Sequence, residues 1–262
     1  MAPSHSQLGS RDGSHAVGSA GVGARAADPD LGQDSYGELL SGAAPAHAAA
    51  QRDRIRSIMS LSLPTPITRF VGRARELSEL CGLVSSERLI TLTGLGGSGK
   101  TRLALQLVSA LSSPVYWIDL STVIDPDQVA TSVRRELGLG EPPDRASRDL
   151  VLDFLRAQSA WLVFDNCEQI SVAVADLAQT ALDHCRGVKI LATSLQPLGL
   201  PRERVYAVPP LSVSADEGVS DAVQLFIERA REVLPCFEAT PDNLMLIDTI
   251  CRRLDGLPLA IE

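Results

Sequence analysis

A short glycine-rich segment contains the residues with the clearest chemistry. Residues 94–101 read Gly-Leu-Gly-Gly-Ser-Gly-Lys-Thr and fit the pattern G-x-x-x-x-G-K-[ST]. Glycines let such a loop adopt positive φ angles, so that several backbone N–H groups can approach phosphate oxygens. The ammonium of Lys100 can reach the β- and γ-phosphates of a nucleotide, and the hydroxyl of Thr101 can coordinate Mg²⁺. The segment predicts a nucleotide-binding loop formed by Gly94, Gly96, Gly97, Ser98, Gly99, Lys100, Thr101 and Arg102.

An aspartate after an apolar run supplies a second part of the predicted site. Residues 161–165 read Trp-Leu-Val-Phe-Asp, which indicates a buried strand that ends in a carboxylate. Ligands of open α/β sheets bind beyond the carboxyl ends of the strands, so Asp165 is expected to hold Mg²⁺ beside Thr101, through water. Glu168 has two open roles: a base that orients an attacking water, or an acid in the first turn of the next helix. Lys100, Asp165 and Glu168 are therefore the catalytic candidates.

The elements that must position these residues follow from the alternation of apolar runs and helical periodicity. Strands are predicted at residues 89–93, 115–120, 161–164, 189–193 and 205–208. Helices are predicted between them at residues 100–111, 126–137, 148–157 and 172–185. Nearly continuous apolar strands separated by helices are typical of a parallel sheet covered on both faces. The sequence thus predicts an α/β P-loop NTPase fold, with three layers of a parallel sheet flanked by helices.

The chain divides into three predicted regions. Residues 1–63 are read as a disordered leader and linker, because residues 1 to about 50 contain almost no large apolar side chains. Residues 64–212 form the predicted nucleotide-binding α/β domain. Residues 213–262 read as the start of a small helical subdomain, with amphipathic helices at 221–234 and 242–254. Pro258 suits an early position of a further helix, and the subdomain is expected to be truncated after it.

Composition narrows the classes of partner. The 262 residues carry a net charge of −8, and the isoelectric point is near 5.1. The overall charge therefore does not favour binding to nucleic acid or to an anionic membrane surface. The five cysteines match no metal-ligand spacing and are predicted to be reduced thiols in the core. No apolar run is long enough to span a membrane, and the N-terminus lacks a secretory signal. A cytoplasmic protein is expected.

Four further motifs, together with the glycine-rich loop, resemble the STAND class of signal-transduction ATPases. They are Phe-Val-Gly-Arg at 70–73, Asp-Asn-Cys-Glu at 165–168, Ile-Leu-Ala-Thr-Ser at 190–194 with Pro-Leu-Gly at 197–199, and Gly-Leu-Pro-Leu-Ala at 256–260. Within that class they look like the NB-ARC-like ATPase module of bacterial transcriptional regulators of the AfsR and LuxR types. The resemblance covers residues 70–262. It implies binding of ATP or ADP with Mg²⁺, and an adenine site formed by Val71, Gly72, Arg73 and Pro258.

The sequence departs from this family pattern in two ways. The family usually has an arginine after the Thr-Ser pair, where it would sense the γ-phosphate, but Leu195 stands there. A missing arginine of this kind can lower the rate of hydrolysis on the order of 10³-fold, unless Arg202 or Arg204 replaces it. Such regulators also continue into further domains, none of which follows Glu262, and no helix-turn-helix or basic reading surface is evident. No direct DNA contact is therefore expected from this chain.

Three functions remain open at this point. The first is a regulatory switch that binds ADP and ATP in different conformations and hydrolyses ATP slowly. The second is a truncated, non-catalytic fragment that only binds nucleotide. The third is a small-molecule kinase or transport ATPase, which is disfavoured because the sequence shows no acceptor site or transporter signature. Beyond adenine nucleotide, the expected partners are a second copy of the chain or a related regulator, and no membrane.

Overall fold

The computed structural model describes residues 63–215 and 218–262. Of the predicted leader and linker, residues 1–62 lie outside this part of the chain. The five strands are β1 (Leu89–Thr93), β2 (Val115–Asp119), β3 (Ala160–Asp165), β4 (Val188–Ser194) and β5 (Arg204–Ala207). The helices are α1 (Ala74–Ser86), α2 (Lys100–Ser109), α3 (Gln128–Glu136), α4 (Ser147–Arg156), α5 (Ser171–His184), α6 (Asp221–Val233), α7 (Pro241–Arg253) and α8 (Pro258–Ile261).

The strands form one parallel sheet in the order β2-β3-β4-β1-β5. The register pairs Thr93 at the end of β1 with Ser194 of β4, and Phe164 of β3 with Ala192 of β4. The carboxyl ends of β1, β3 and β4 therefore meet at one edge of the sheet. The glycine-rich loop follows β1 and Asp165 ends β3, so the topology brings both to this edge. The predicted three-layer α/β fold is confirmed.

Both faces of the sheet are covered, which explains the nearly continuous apolar strands. On one face, Leu162 and Ile190 belong to a core that includes side chains of α3, α4 and α5. On the other face, Val163 and Leu191 pack into a core with α1 and α2. Neighbouring residues of one strand point to opposite faces, so each strand contributes to both cores.

Helices α6, α7 and α8 share a third core of their own. It contains Val223, Ile227, Ile247, Cys251 and Ile261. Leu211 and Val71, from the segments before α6 and before α1, also belong to it. Local signals start these helices: Ser220 caps α6, Thr240 and Asn243 form a capping box before α7, and proline occupies the first turn of α7 and of α8.

Three sequence-based interpretations need correction. Helix α1 was not predicted, although it follows the motif at 70–73 directly and buries Leu77, Leu80 and Val84 at helical spacing. Glu168 is not in the first turn of a helix, since α5 begins at Ser171. Of the five cysteines, four are buried as predicted, but Cys236 is exposed.

None of the helices in the described residues has the length and apolar character needed to cross a membrane.

Candidate functional site

The glycine-rich loop connects β1 to α2 and depends on backbone conformations that favour glycine. Gly94, Gly97 and Gly99 have φ angles of 146°, 77° and 88°. A Cβ atom added to Gly94 would lie 2.7 Å from the carbonyl oxygen of Val208, and one added to Gly97 would lie 2.6 Å from Cβ of Leu259. These two glycines are therefore required by close packing as well as by backbone conformation. In contrast, a Cβ atom at Gly96 would meet open space.

Lys100 is folded back onto this loop. Its Nζ atom donates hydrogen bonds to the carbonyl oxygens of Gly94 and Leu95, both at 3.0 Å. The side chain is buried, and burial lowers the pKa of Lys100, while attraction by Glu168 and Asp165 acts in the opposite direction. The ammonium is thus held over the concave side of the loop, where it can bind an anion.

Asp165 accepts two hydroxyl hydrogen bonds on one carboxylate oxygen. Thr101 Oγ1 donates to Oδ1 at 2.8 Å, and Thr193 Oγ1 donates to the same atom at 2.6 Å. Asp165 is only 3% exposed. Burial raises the pKa of Asp165, and the two hydroxyl donors oppose this shift. The aspartate that the sequence analysis paired with Thr101 is therefore in direct contact with it.

A hydroxyl and a carboxylate at this distance fit the oxygen ligands that Mg²⁺ prefers. Magnesium is usually held by one or two protein oxygens, several waters and the phosphates of a nucleotide. No cluster of three or more His, Cys, Asp or Glu side chains suited to a metal occurs in the described residues. Thr101 and Asp165 could thus hold Mg²⁺ only together with phosphate oxygens and water. The buried Oγ of Ser98, which has no hydrogen-bond partner within the described chain, adds an unused polar atom to the same loop.

Two residues of this network were missed by the sequence analysis as site residues. Thr193 orients Asp165, as described above, and its Oγ1 also accepts the backbone N–H of Asn166 at 3.0 Å. Asn166 adopts a φ angle of 61°, which is uncommon for a residue other than glycine. Its Nδ2 donates to Asp165 Oδ2 at 3.3 Å. A threonine at the end of the neighbouring strand was the available signal for the first of these roles.

Arg73 braces the loop from the segment before α1. The side chain is 3% exposed, and burial lowers its pKa. One guanidinium nitrogen donates to the carbonyl oxygens of Ser98 at 2.6 Å and Pro209 at 2.9 Å. Its backbone N–H donates to the carboxylate of Asp221 at 3.0 Å. Arg73 therefore connects the loop, the segment after β5 and the start of α6.

A cleft of about 300 Å³ runs from the loop toward the third core. The polar part of its lining consists of Lys100, Thr101, Asn166 and Glu168, together with three glycines of the loop. Apolar side chains form another part, and Pro258 and Leu259 among them lie against the loop: Phe70, Val71, Leu211, Leu225, Pro258 and Leu259. Of the predicted site residues, the cleft is lined by Val71, Arg73, Gly96, Gly97, Gly99, Lys100, Thr101, Arg102, Glu168 and Pro258. Gly72, Gly94, Ser98 and Asp165 lie behind this surface and contact residues that line it.

The two arginines considered as replacements for Leu195 lie at the wrong end of the sheet. Arg204 begins β5 and pairs with Ile90, near the start of β1. Arg202 lines a separate hollow with Glu87 and Leu89. The glycine-rich loop is at the opposite end of β1, where Leu195 follows the end of β4 and is 51% exposed. Neither arginine can take the role of a γ-phosphate sensor in this arrangement.

Comparison with known proteins agrees with this geometry. Residues 83–195 match the family model described as AAA domain. An uncharacterised protein of Mycobacterium tuberculosis is 40% identical over 200 residues, which are 75% of this chain and 50% of the relative. A second M. tuberculosis protein, provisionally named an HTH-type transcriptional regulator, is 40% identical over 182 residues, 69% of this chain and 20% of the relative. The chain thus spans about half the length of the first relative and a fifth of the second.

Three solved structures share the fold at low sequence identity. A signal transduction ATPase with numerous domains (STAND), with a tetratricopeptide repeat sensor, from Pyrococcus horikoshii has a TM-score of 0.50 at 19% identity and covers 76% of this chain and 30% of its own. A Walker-type ATPase of Pyrococcus abyssi has a TM-score of 0.52 at 15% identity, with coverage of 76% and 68%. Cdc6p from Pyrobaculum aerophilum has a TM-score of 0.52 at 18% identity, with coverage of 78% and 62%. The five-stranded parallel sheet with flanking helices is therefore the P-loop NTPase fold, and residues 83–195 are similar to the AAA domain family.

Proposed function

We propose that this chain binds ATP and ADP with Mg²⁺ and acts as the nucleotide-dependent switch module of a signal-transduction or transcriptional regulator. The observation that carries the proposal is the position of Lys100. Its ammonium lies over the carbonyl oxygens of Gly94 and Leu95 at the end of a cleft that Thr101 also lines. A polyphosphate in this cleft would meet a cation and the N-terminus of α2, both of which favour anions.

The mixed lining of the cleft supports a nucleotide over a simple phosphate. Its polar part includes Lys100 and Thr101, and Mg²⁺ held by Thr101 and Asp165 would neutralise phosphate charge there. Its apolar part includes Phe70, Val71 and Pro258, which are suited to the face of a purine base. The preference for adenine rests on the resemblance of residues 70–73 and 256–260 to motifs that contact adenine in STAND ATPases.

The switch role is supported by the way the helices meet the loop. Residues 213–262 are proposed to be the start of the helical subdomain, because α6, α7 and α8 share a core separate from the two sheet cores. Leu259 of α8 donates its backbone N–H to the carbonyl oxygen of Gly97 at 3.2 Å. A nucleotide bound at the loop would lie beside this contact between the loop and the helices. A nucleotide that binds one arrangement of the contact more tightly than another would shift the chain toward the first arrangement. The regulator named among the relatives is consistent with such a role.

Slow hydrolysis is part of the proposed function. Glu168 lines the cleft and is the candidate base, but Leu195 offers no charge where an arginine would stabilise the transferred phosphoryl group. Binding depends on the loop and should persist without that arginine. A chain that binds nucleotide without turnover is the alternative, and Leu195 is the observation that favours it.

Nucleotide binding and phosphate release, measured on the same preparations, test the proposal. Calorimetric titration with ADP and ATP, with and without Mg²⁺, should give saturable heat. Lys100→Ala should weaken binding about 10- to 100-fold, because charge-assisted hydrogen bonds contribute roughly 1.5–3 kcal/mol. The matched control is Lys189→Met, which removes the other lysine of the chain, at the amino end of β4. No heat with the wild-type chain, or equal losses in both variants, would contradict the proposal.

The phosphate assay separates the three functions. Turnover that Lys100→Ala abolishes supports the hydrolysing switch. Tight binding without turnover that depends on Lys100 supports the non-catalytic alternative. Strong stimulation of turnover by a small acceptor molecule would indicate a kinase instead.

A further inference from the structure

One threonine hydroxyl receives hydrogen bonds from two arginines that belong to different parts of the fold. Arg102 of α2 donates to Thr68 Oγ1 at 2.9 Å, and Arg229 of α6 donates to the same oxygen at 3.1 Å. Thr68 lies in the segment before α1, next to Arg69, which lines the cleft. Helix α2 begins directly after the glycine-rich loop, whereas α6 belongs to the third core. The hydroxyl therefore joins the helix of the loop to the helices α6–α8.

Backbone contacts strengthen both sides of this junction. Arg102 also donates to the carbonyl oxygens of Thr68 at 2.7 Å and Arg69 at 3.1 Å. Arg229 donates to the carbonyl oxygen of Arg69 at 3.3 Å. Both guanidinium groups thus bind the same two residues, and both side chains line the cleft. The planar fork of arginine directs several such bonds in a fixed geometry, which the single ammonium of a lysine does not reproduce.

The charges at this junction are not balanced equally. Arg229 forms ion pairs with Glu232 and Glu262, both at 2.8 Å, and its side chain is 12% exposed. Within the described residues, Arg102 has no carboxylate partner. The positive charge of Arg102 is therefore less compensated than that of Arg229. Negative charge brought to the start of α2, next to Thr101, would compensate the charge of Arg102.

We infer that Arg102, Thr68, Arg69 and Arg229 form a latch that closes the rim of the cleft and slows nucleotide release; this rests on the proposed function. We name these four residues the Thr68 latch. A bound nucleotide places phosphate charge near Arg102 and so tightens the latch. The latch holds α6 against the segment that contains Phe70 and Val71. Arg229 acts through Thr68 and Arg69, so it is a positioning residue rather than a catalytic residue.

The first arm of the test is amide hydrogen exchange of residues 68–73 in the full chain without added nucleotide, where the N–H of Arg73 is bonded to Asp221 of α6. Thr68→Val removes the shared hydroxyl and keeps the shape of the side chain, and Arg229→Lys keeps the charge but not the fork. Both variants should raise the exchange rate in this segment about 3- to 10-fold, because each lost hydrogen bond contributes a factor of that order. The matched control is Arg252→Ala, which removes an exposed arginine that pairs with Asp248 on α7. Exchange as slow in Thr68→Val as in the control would overturn the latch.

The second arm is the dissociation rate of a fluorescent ADP analogue in the presence of Mg²⁺. Thr68→Val and Arg229→Lys should each speed dissociation about 3- to 10-fold and leave the association rate nearly unchanged. In a double-mutant cycle of Arg102→Ala and Arg229→Ala, the combined effect should be smaller than the product of the single effects, because both arginines act on one threonine. Independent effects of the two arginines would overturn the proposal.

The two arms separate the latch from the proposed function. If the wild-type chain did not bind the analogue at all, the proposed function would fail, and the inference that the latch slows nucleotide release would fail with it. If the analogue bound but exchange and dissociation in Thr68→Val matched the control, only the latch would fail.

Discussion

The carboxylate of Asp221 accepts the backbone N–H of Arg73 at 3.0 Å, across 148 positions in the sequence. Asp221 is the first residue of α6, and Arg73 directly precedes α1 with a φ angle of 61°. The guanidinium of Arg73 then reaches the carbonyl oxygen of Ser98 in the glycine-rich loop. This path of contacts makes the start of α6 part of the support of the glycine-rich loop.

Substitution of Gly72 tests how closely α6 must approach this segment. A Cβ atom at Gly72 would lie 2.4 Å from the carboxylate carbon of Asp221, and the φ angle of 69° disfavours other residues. We expect Gly72→Ala to lower the free energy of unfolding by roughly 1–3 kcal/mol, as overpacking and backbone strain do. Urea denaturation followed by circular dichroism would measure the change.

The matched control is Gly82→Ala within α1. A Cβ atom there would meet nothing within 4 Å. Alanine should therefore raise the free energy of unfolding by roughly 0.5–1 kcal/mol, because it restricts the unfolded chain and favours the helix. A destabilised Gly82→Ala, or an unchanged Gly72→Ala, would argue against the packing described here.

Asp165→Asn should separate the stability of the chain from its use of magnesium. The wild-type carboxylate is buried, and burial raises its pKa. The folded state therefore binds a proton at Asp165 more tightly than the unfolded chain does. Stability without Mg²⁺ therefore falls as pH rises from the ordinary aspartate pKa through the raised one. The amide should remove this dependence and increase the free energy of unfolding at pH 7 by about 1 kcal/mol. Thermal denaturation over a pH series measures it.

The same substitution should abolish the effect of Mg²⁺ on nucleotide affinity. In the wild-type chain, the ionised carboxylate is the form that can hold the metal, so the Mg²⁺-dependent gain should be complete above the raised pKa and decline as pH falls through it. Titrations with ADP over a series of decreasing pH would follow this decline. Asp165→Asn corrects for protonation of the nucleotide itself, because its titrations should not respond to Mg²⁺ through this residue. A Mg²⁺ effect of equal size in both proteins would place the metal elsewhere.

Leu195→Arg tests whether the missing cation limits hydrolysis. Leu195 is half exposed just beyond β4, so a longer side chain can be accommodated there. We expect phosphate release to rise on the order of 10-fold or more, while nucleotide affinity changes little, since an arginine at this place stabilises charge on the transferred phosphoryl group. Met245→Arg on α7, where the native side chain is 76% exposed, controls for added charge. An equal rise of phosphate release in both variants would show that a cation at position 195 is not what limits hydrolysis.

The parts of the fold that sequence could predict were those with local signals. The Gly-Lys-Thr pattern located the loop, and an apolar run that ends in aspartate placed Asp165 at the edge of the sheet beside Thr101. Helix α1 was missed although Leu77 and Leu80 are spaced as on one buried face of a helix. The support of Asp165 by Thr193 depends on the pairing of β3 with β4, which composition does not reveal.

The features that the sequence could not predict depend on contacts between residues that are distant in sequence or separated by the fold. Arg202 and Arg204 follow Leu195 closely in sequence, yet the chain returns to the amino end of the sheet before β5 begins, which removes both from the site. In the same way, nothing near Thr68 in the sequence indicates that Arg102 and Arg229 meet at its hydroxyl, because the partners are 34 and 161 positions away.

The distribution of cysteines has a practical consequence. Cys236 is the one exposed thiol of the five, and it lies in the connection between α6 and α7. Burial raises the pKa of the other four, including Cys167 beside Asn166, so their reactive thiolate forms are scarce. A maleimide dye should therefore attach at a single place in the unmodified chain. That dye would sit on the helices α6–α8 and outside the cleft, and its emission would report their movement without an engineered label.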